Sequence, residues 1–118
     1  MEKTLYFYGT LLNLPSLPSV DMGDHLLRYF QLPDGGKIEL TEYYFDTPEI
    51  STDAMNKGSA RHLAFETDDI NALEKTLTEA GYCFHVPVSY VEKLGFAGGL
   101  LNDPNGFELE FLKYGKHR

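Results

Sequence analysis

Cysteine, basic charge and long apolar runs are all scarce in this chain of 118 residues, and each shortage closes off a class of function. The single cysteine, Cys83, has no partner in the chain for a disulfide. Ten Lys and Arg stand against 18 Asp and Glu, and the net charge of −8 repels phosphate backbones and anionic lipid. Neither nucleic acid nor a membrane is therefore expected as a partner. No apolar run approaches the roughly 18 residues that a membrane-spanning helix needs. The opening "EKTLYFYGTLLNLP" has an acidic residue and no long apolar core of a signal peptide, so a cytoplasmic location is expected. Cys83, in "GYCFHVPV", reads as a small buried hydrophobe rather than a nucleophile, since no neighbour in sequence would activate its thiol.

What the chain does have is apolar bulk: 42% hydrophobic residues, with eight Phe and eight Tyr. That is enough for one core and too little for two independent ones, so residues 1–118 read as a single domain. Its clearest element lies in "TDDINALEKTLTEAG". Ile70, Leu73, Leu77 and Ala80 recur at helical spacing, Thr67 or Asp68 can cap the start, and Gly81 ends the run. The spacing predicts a helix over about 69–80. Strand-length segments flank it, "SARHLAFE" before and "YCFHVPV", "LGFAGGLLN" and "GFELEFLKY" after, so the second half reads strand, helix, strand, strand, strand. The glycine pair in "FAGGLLN" has no helix after it and marks a strand bend, not a phosphate loop.

The first half reads similarly with one piece absent. "EKTLYFYGTLLN" puts Leu5, Tyr8 and Leu12 on one helical face; Pro15 and Pro18 break it; strands follow at "HLLRYFQL" and "KIELTEYYF". The polar, turn-rich "PEISTDAMNKGS" connects the halves, giving module one at 1–46, a connector at 47–58 and module two at 59–118. An internal repeat supports this division. "PDGGKIEL" laid on "PNGFELEF" pairs Pro33 with Pro104, Gly35 with Gly106, Ile38 with Leu109 and Glu39 with Glu110. By the same alignment the counterpart of His62 falls before Met1, so module one lacks its opening strand. A neighbouring strand should then carry unpaired backbone groups or borrow a partner from another chain, and either a homodimer is expected or a chain that begins later than the natural protein.

Strand alternation sorts the polar residues by face. His62, Ala64 and Glu66 oppose Leu63 and Phe65; Lys37 and Glu39 oppose Ile38 and Leu40; Glu108 and Glu110 oppose Phe107, Leu109 and Phe111. One imidazole and two carboxylates from separate strands, His62, Glu39 and Glu110, suit a divalent zinc, nickel, manganese or iron ion and leave positions open for water or substrate. A strand histidine serves equally well as an ordinary hydrogen-bonded residue. Glu108, nearer the turn, reads as solvated; His25 and His85 read as surface or hydrogen-bonding residues; His117 sits in a terminal tail. Arg28 could hold an anionic group or form a strand-edge ion pair, and Phe65 and Phe96, with Tyr29 and Phe30, could line a substrate pocket or pack the core.

Taken together, "RHLAFETDDINALEKTLTEAG" and "LNDPNGFELEF" resemble the vicinal oxygen chelate superfamily, which contains glyoxalase I, bleomycin- and fosfomycin-resistance proteins and extradiol dioxygenases. "TLYFYGTLLNLP" looks like that family's first helix and "LPDGGKIEL" like the end of its first module. The resemblance implies an α+β fold of two βαβββ modules whose curled mixed sheet, helices outside, surrounds a metal site. It implies ligands on the first and last strands of each module, which His62, Glu110 and Glu39 match. The fourth, a His or Gln on the opening strand of module one, has no counterpart here. The implied activity is that of a glyoxalase-type lyase or a dioxygenase, in which a divalent metal chelates two adjacent oxygens of a small metabolite and stabilises an enolate-like charge. Glu110 or Glu39 would then move the proton. The alternative from the same fold is a protein that binds a small molecule or antibiotic without chemistry.

Overall fold

Residues 1–47 and 62–115 are described by the computed structural model, and contacts along the chain divide it into two units, Met1–Thr52 and Asp53–Arg118. The connector 47–58, apart from Thr47, and His117 lie outside the described residues.

The second unit has the predicted order. Strand β4 (Leu63–Glu66) is followed by helix α2 (Ile70–Glu79) and strands β5 (Phe84–Val91), β6 (Phe96–Asn102) and β7 (Glu108–Tyr114). The cap of α2 is Asp69 rather than Thr67 or Asp68: its carboxylate accepts the Ala72 N–H at 3.0 Å, while Thr67 Oγ1 accepts the Asp69 N–H at 3.4 Å. Ile70 and Leu77 are the fully buried stripe of the helix, which lies against β7. Cys83 is exposed, which corrects the expectation of a buried thiol; it falls in the connection between α2 and β5, ahead of the strand's inward-facing positions.

The four strands form one sheet in the order β4-β7-β6-β5, with β4 and β7 parallel and the other pairs antiparallel. The Gly98–Gly99 pair lies inside β6, buried, where a Cβ on Gly99 would come within 2.9 Å of Phe84, the Val86 carbonyl and Val88. Close backbone approach is what the pair serves.

Among its described residues, the first unit repeats the order helix, strand, strand, strand. Helix α1 (Glu2–Leu5) continues as a π-helix over Tyr6–Leu11, and strands β1 (Ser16–Asp21), β2 (His25–Gln31) and β3 (Lys37–Tyr43) form an antiparallel sheet in the order β1-β2-β3. The wider winding is seen in the Leu12 N–H to Phe7 carbonyl bond of 2.9 Å. Thr4, Phe7 and Tyr8 are buried, whereas the regular spacing had selected Leu5, Tyr8 and Leu12.

Strand β1 was not expected, because Pro18 reads as a breaker. It is an edge strand with a register shift between Leu17 and Val20, and both features tolerate a residue without an N–H. Pro87 occupies the same situation in β5, the edge of the other sheet, between Val86 and Ser89. The two modules thus share a device as well as an order. The turns before β3 and β7 share another: Gly35 (φ 96°) and Gly106 (φ 83°) both take the positive φ that a side chain disfavours. Among the described residues β3 is an edge strand of the first sheet, whereas its counterpart β7 pairs with β4 in the second.

Candidate functional site

The parallel pairing of β4 with β7 decides which residues meet. Leu63 faces Leu109 and Ala64 faces Glu110, so His62, one step before β4, falls beside Glu108. Nδ1 of His62 is 3.1 Å from Oε1 of Glu108, and Nε2 of the same ring is 3.9 Å from Oε1 of Glu110.

A second imidazole reaches the same carboxylate from across β6. Nε2 of His85 lies 2.7 Å from Oε2 of Glu108. On β5, Phe84 pairs with Leu101 and Val86 with Leu100, so His85 is the extra residue of a bulge, which turns its side chain away from strict alternation. Glu108 therefore bridges two histidines and is not the solvated residue that its place near the turn suggested; its side chain is 26% exposed. Alternation in the sequence puts His62 and Glu108 each on a polar face, but the parallel register that sets them side by side is given by the structure alone. The bulge at His85 has no sequence signal either.

In the other unit Glu39 faces Tyr29 across the β2–β3 pair. The Tyr29 hydroxyl donates to Glu39, and this bond, then burial, then the carboxylate's charge hold the phenol above its usual 10.0. Arg28 is engaged with Glu42, Nε at 3.2 Å and Nη2 at 3.1 Å from one carboxylate oxygen. Phe65 stacks on Phe111 at 6.0 Å, on the sheet side opposite Glu110, and buried Phe96 meets Tyr114 edge-on at 5.5 Å. A hollow of about 360 Å³ lies over the first sheet, lined by Leu17, Pro18, Val20, Tyr29, Gln31 and Lys37.

The chemistry of the donors bears on the metal that the resemblance implies. An ion at about 2 Å from each donor can span a pair up to roughly 4 Å apart, so His62 Nε2 and Glu110 Oε1 fit two positions of one coordination shell. Among the described residues no three His, Cys, Asp or Glu side chains converge as ligands, and Glu39 belongs to the other unit.

An α-β-β-β unit and a β-α-β-β-β unit in one chain, with an imidazole and carboxylates gathered on the β4–β7 pair, define a two-module α+β protein of glyoxalase type. The chain belongs to the Glyoxalase/Bleomycin resistance protein/Dioxygenase superfamily, whose family model matches residues 1–111. Solved structures share the fold. A glyoxylase/bleomycin resistance protein/dioxygenase domain from Frankia sp. EAN1pec is 20% identical with a TM-score of 0.78, covering 100% of this chain and 86% of that one. The trypanothione-dependent glyoxalase I of Leishmania major is 21% identical, TM-score 0.69, with coverage of 96% and 78%. TnmS3, an antibiotic binding protein from Streptomyces sp. CB03234, is 20% identical, TM-score 0.69, with coverage of 96% and 85%. No curated protein sequence matches the chain. At these identities the likeness carries the fold and not the activity. No helix among the described residues is long and apolar enough to cross a membrane.

Proposed function

We propose that the protein is a divalent-metal-dependent enzyme of glyoxalase type acting on a small oxygenated metabolite, with His62 and Glu110 as metal ligands and Glu39 as the further ligand that the resemblance implies. The observation that carries this reading is the facing pair His62 Nε2 and Glu110 Oε1, 3.9 Å apart at the start of β4 and on β7. When bound, such an ion supplies Lewis acidity toward two neighbouring oxygens of the substrate. The chain's own part is to place carboxylates for proton movement. Glu110 and Glu39 are the catalytic candidates: either can accept a proton from one carbon and return it to the adjacent one, which isomerises the substrate with no net gain or loss. For Arg28 to bind an anionic substrate group, it must exchange its Glu42 partner for that group. Phe96, whose register partner Tyr114 shares the face of Glu110, would contribute an apolar wall, whereas Phe65 packs on Phe111 on the opposite side of the sheet.

The test is metal content after purification without chelator, followed by reconstitution with zinc, nickel, manganese or iron(II). Stoichiometric metal in the parent, lost in His62→Ala and Glu110→Ala, is the expected result. A parent that takes up no divalent ion after reconstitution overturns the reading.

A second reading, capture of a small molecule or antibiotic without chemistry, is favoured by the hollow over the first sheet. Its lining residues include no histidine or carboxylate, and TnmS3 is an antibiotic binding protein of the same fold. A thermal-shift screen separates the two. Stabilisation by divalent ions supports the enzyme, and stabilisation by planar aromatic compounds alone supports the binder.

A further inference from the structure

Glu108 holds the one carboxylate in hydrogen-bonding reach of two imidazoles among the described residues, and neither the repeat nor the ligand pattern assigns it a role. We infer that Glu108 is a positioning residue that fixes the tautomer of His62 and presents the ring's other nitrogen to the site. The inference rests on the proposed metal site for its purpose, though not for its geometry.

An ionised carboxylate only accepts hydrogen bonds, so each ring nitrogen that it contacts must carry a proton. In neutral His62 the proton then sits on Nδ1, which lies 3.1 Å from Oε1 of Glu108. Nε2 is left with its lone pair, and that lone pair is on the nitrogen nearest Glu110, at 3.9 Å. Free imidazole side chains favour the opposite form, with the proton on Nε2, so the protein has to impose this one. Two electron-rich atoms, Nε2 and the Glu110 oxygen, then face a common gap with no proton between them, the arrangement that a cation completes.

The second histidine holds the carboxylate in turn. His85 Nε2 donates to Oε2 of Glu108 at 2.7 Å, which leaves Oε1 for His62 and restricts the rotation of the Glu108 side chain. The bulge that aims His85 is thus part of the same device. His62, Glu108 and His85 side chains are 31, 26 and 41% exposed, so a salt bridge of charges would be weakened by solvent, whereas the tautomer depends on where the acceptor stands.

The test uses the metal-free, nitrogen-15-labelled full chain at mildly alkaline pH, with long-range proton–nitrogen correlation of the imidazoles. The expected spectrum has His62 protonated on Nδ1 in the parent and shifted toward the Nε2-protonated form in Glu108→Ala, with backbone amide signals retained. His85→Ala, which keeps Glu108, should give an intermediate mixture. Titration with zinc alone should show affinity about 10- to 100-fold weaker in Glu108→Ala. A parent with His62 protonated on Nε2 overturns the inference whether or not Glu108→Ala folds, and so does an unchanged tautomer or unchanged zinc affinity in that variant. The expected tautomer in a parent that binds no metal upholds the action of Glu108 on His62 and overturns the proposed function instead, so the two failures are distinct.

Discussion

Glu108 and Glu110 stand two positions apart on one face of β7, yet only Glu108 lies within hydrogen-bonding distance of an imidazole. Alternation cannot separate them, because it assigns a face and not a neighbour. Register separates them, since the parallel ladder slides His62 opposite Glu108 and leaves Ala64 opposite Glu110. Site chemistry was therefore legible as residue types on a face, and illegible where it depended on how strands slide or where one bulges. The Tyr29–Glu39 contact belongs to the same scale. Because this contact raises the Tyr29 phenol above 10.0 in the folded chain, its contribution to stability is fully present below that pH and is lost as pH rises through the higher folded value. In an alkaline titration followed by phenolate absorbance, Glu39→Gln should bring Tyr29 back toward 10. Denaturant unfolding of Tyr29→Phe should show a smaller loss of stability above that pH than the parent does.

At the scale of elements, α2 was readable almost to its ends, because an amphipathic stripe and a glycine stop act locally. The cap was displaced by one residue to Asp69, a choice that depends on backbone angles. Asp69→Ala should lower stability by about 1 kcal/mol in thermal or urea unfolding, the usual value of a lost N-cap. The first helix buries Thr4, Phe7 and Tyr8 rather than Leu5, Tyr8 and Leu12; both sets keep helical spacing, and in "TLYFYGTLL" apolar side chains stand on every side, so periodicity alone does not choose the face. Strand β1 was missed because proline forbids a central strand but not an edge one. Central β6 offers a sharper test. Gly99→Ala puts a methyl group 2.9 Å from three neighbours on β5, and a loss of about 1–3 kcal/mol is expected from such overpacking, read as a lowered melting temperature.

For the whole molecule, the order of elements in the second unit was legible, and the repeat related the β3 and β7 strands of the two units, since a repeat compares the chain with itself and needs no knowledge of contacts. Among the described residues β3 is an edge strand of the first sheet. Exposed Tyr43, Tyr44 and Phe45 continue the chain from that edge, and an open strand with apolar flanks invites pairing. A homodimer is expected in sedimentation equilibrium, and a monomer at high concentration would refute it. Tyr43→Lys, which adds charge beside the edge, should weaken association by roughly tenfold or more.

The contact between His62 and Glu108 also has a history in time. The two residues are 46 positions apart, and bringing such distant points together costs on the order of 3 kcal/mol of chain entropy before any bond repays it. The contact requires the pairing of β4 with β7, which closes a loop holding the helix and two further strands, so it is among the longest-range contacts of the second unit. In refolding, the ring signals of His62 should therefore settle in the last phase of the second unit, which makes that side chain a clock for completion of the sheet.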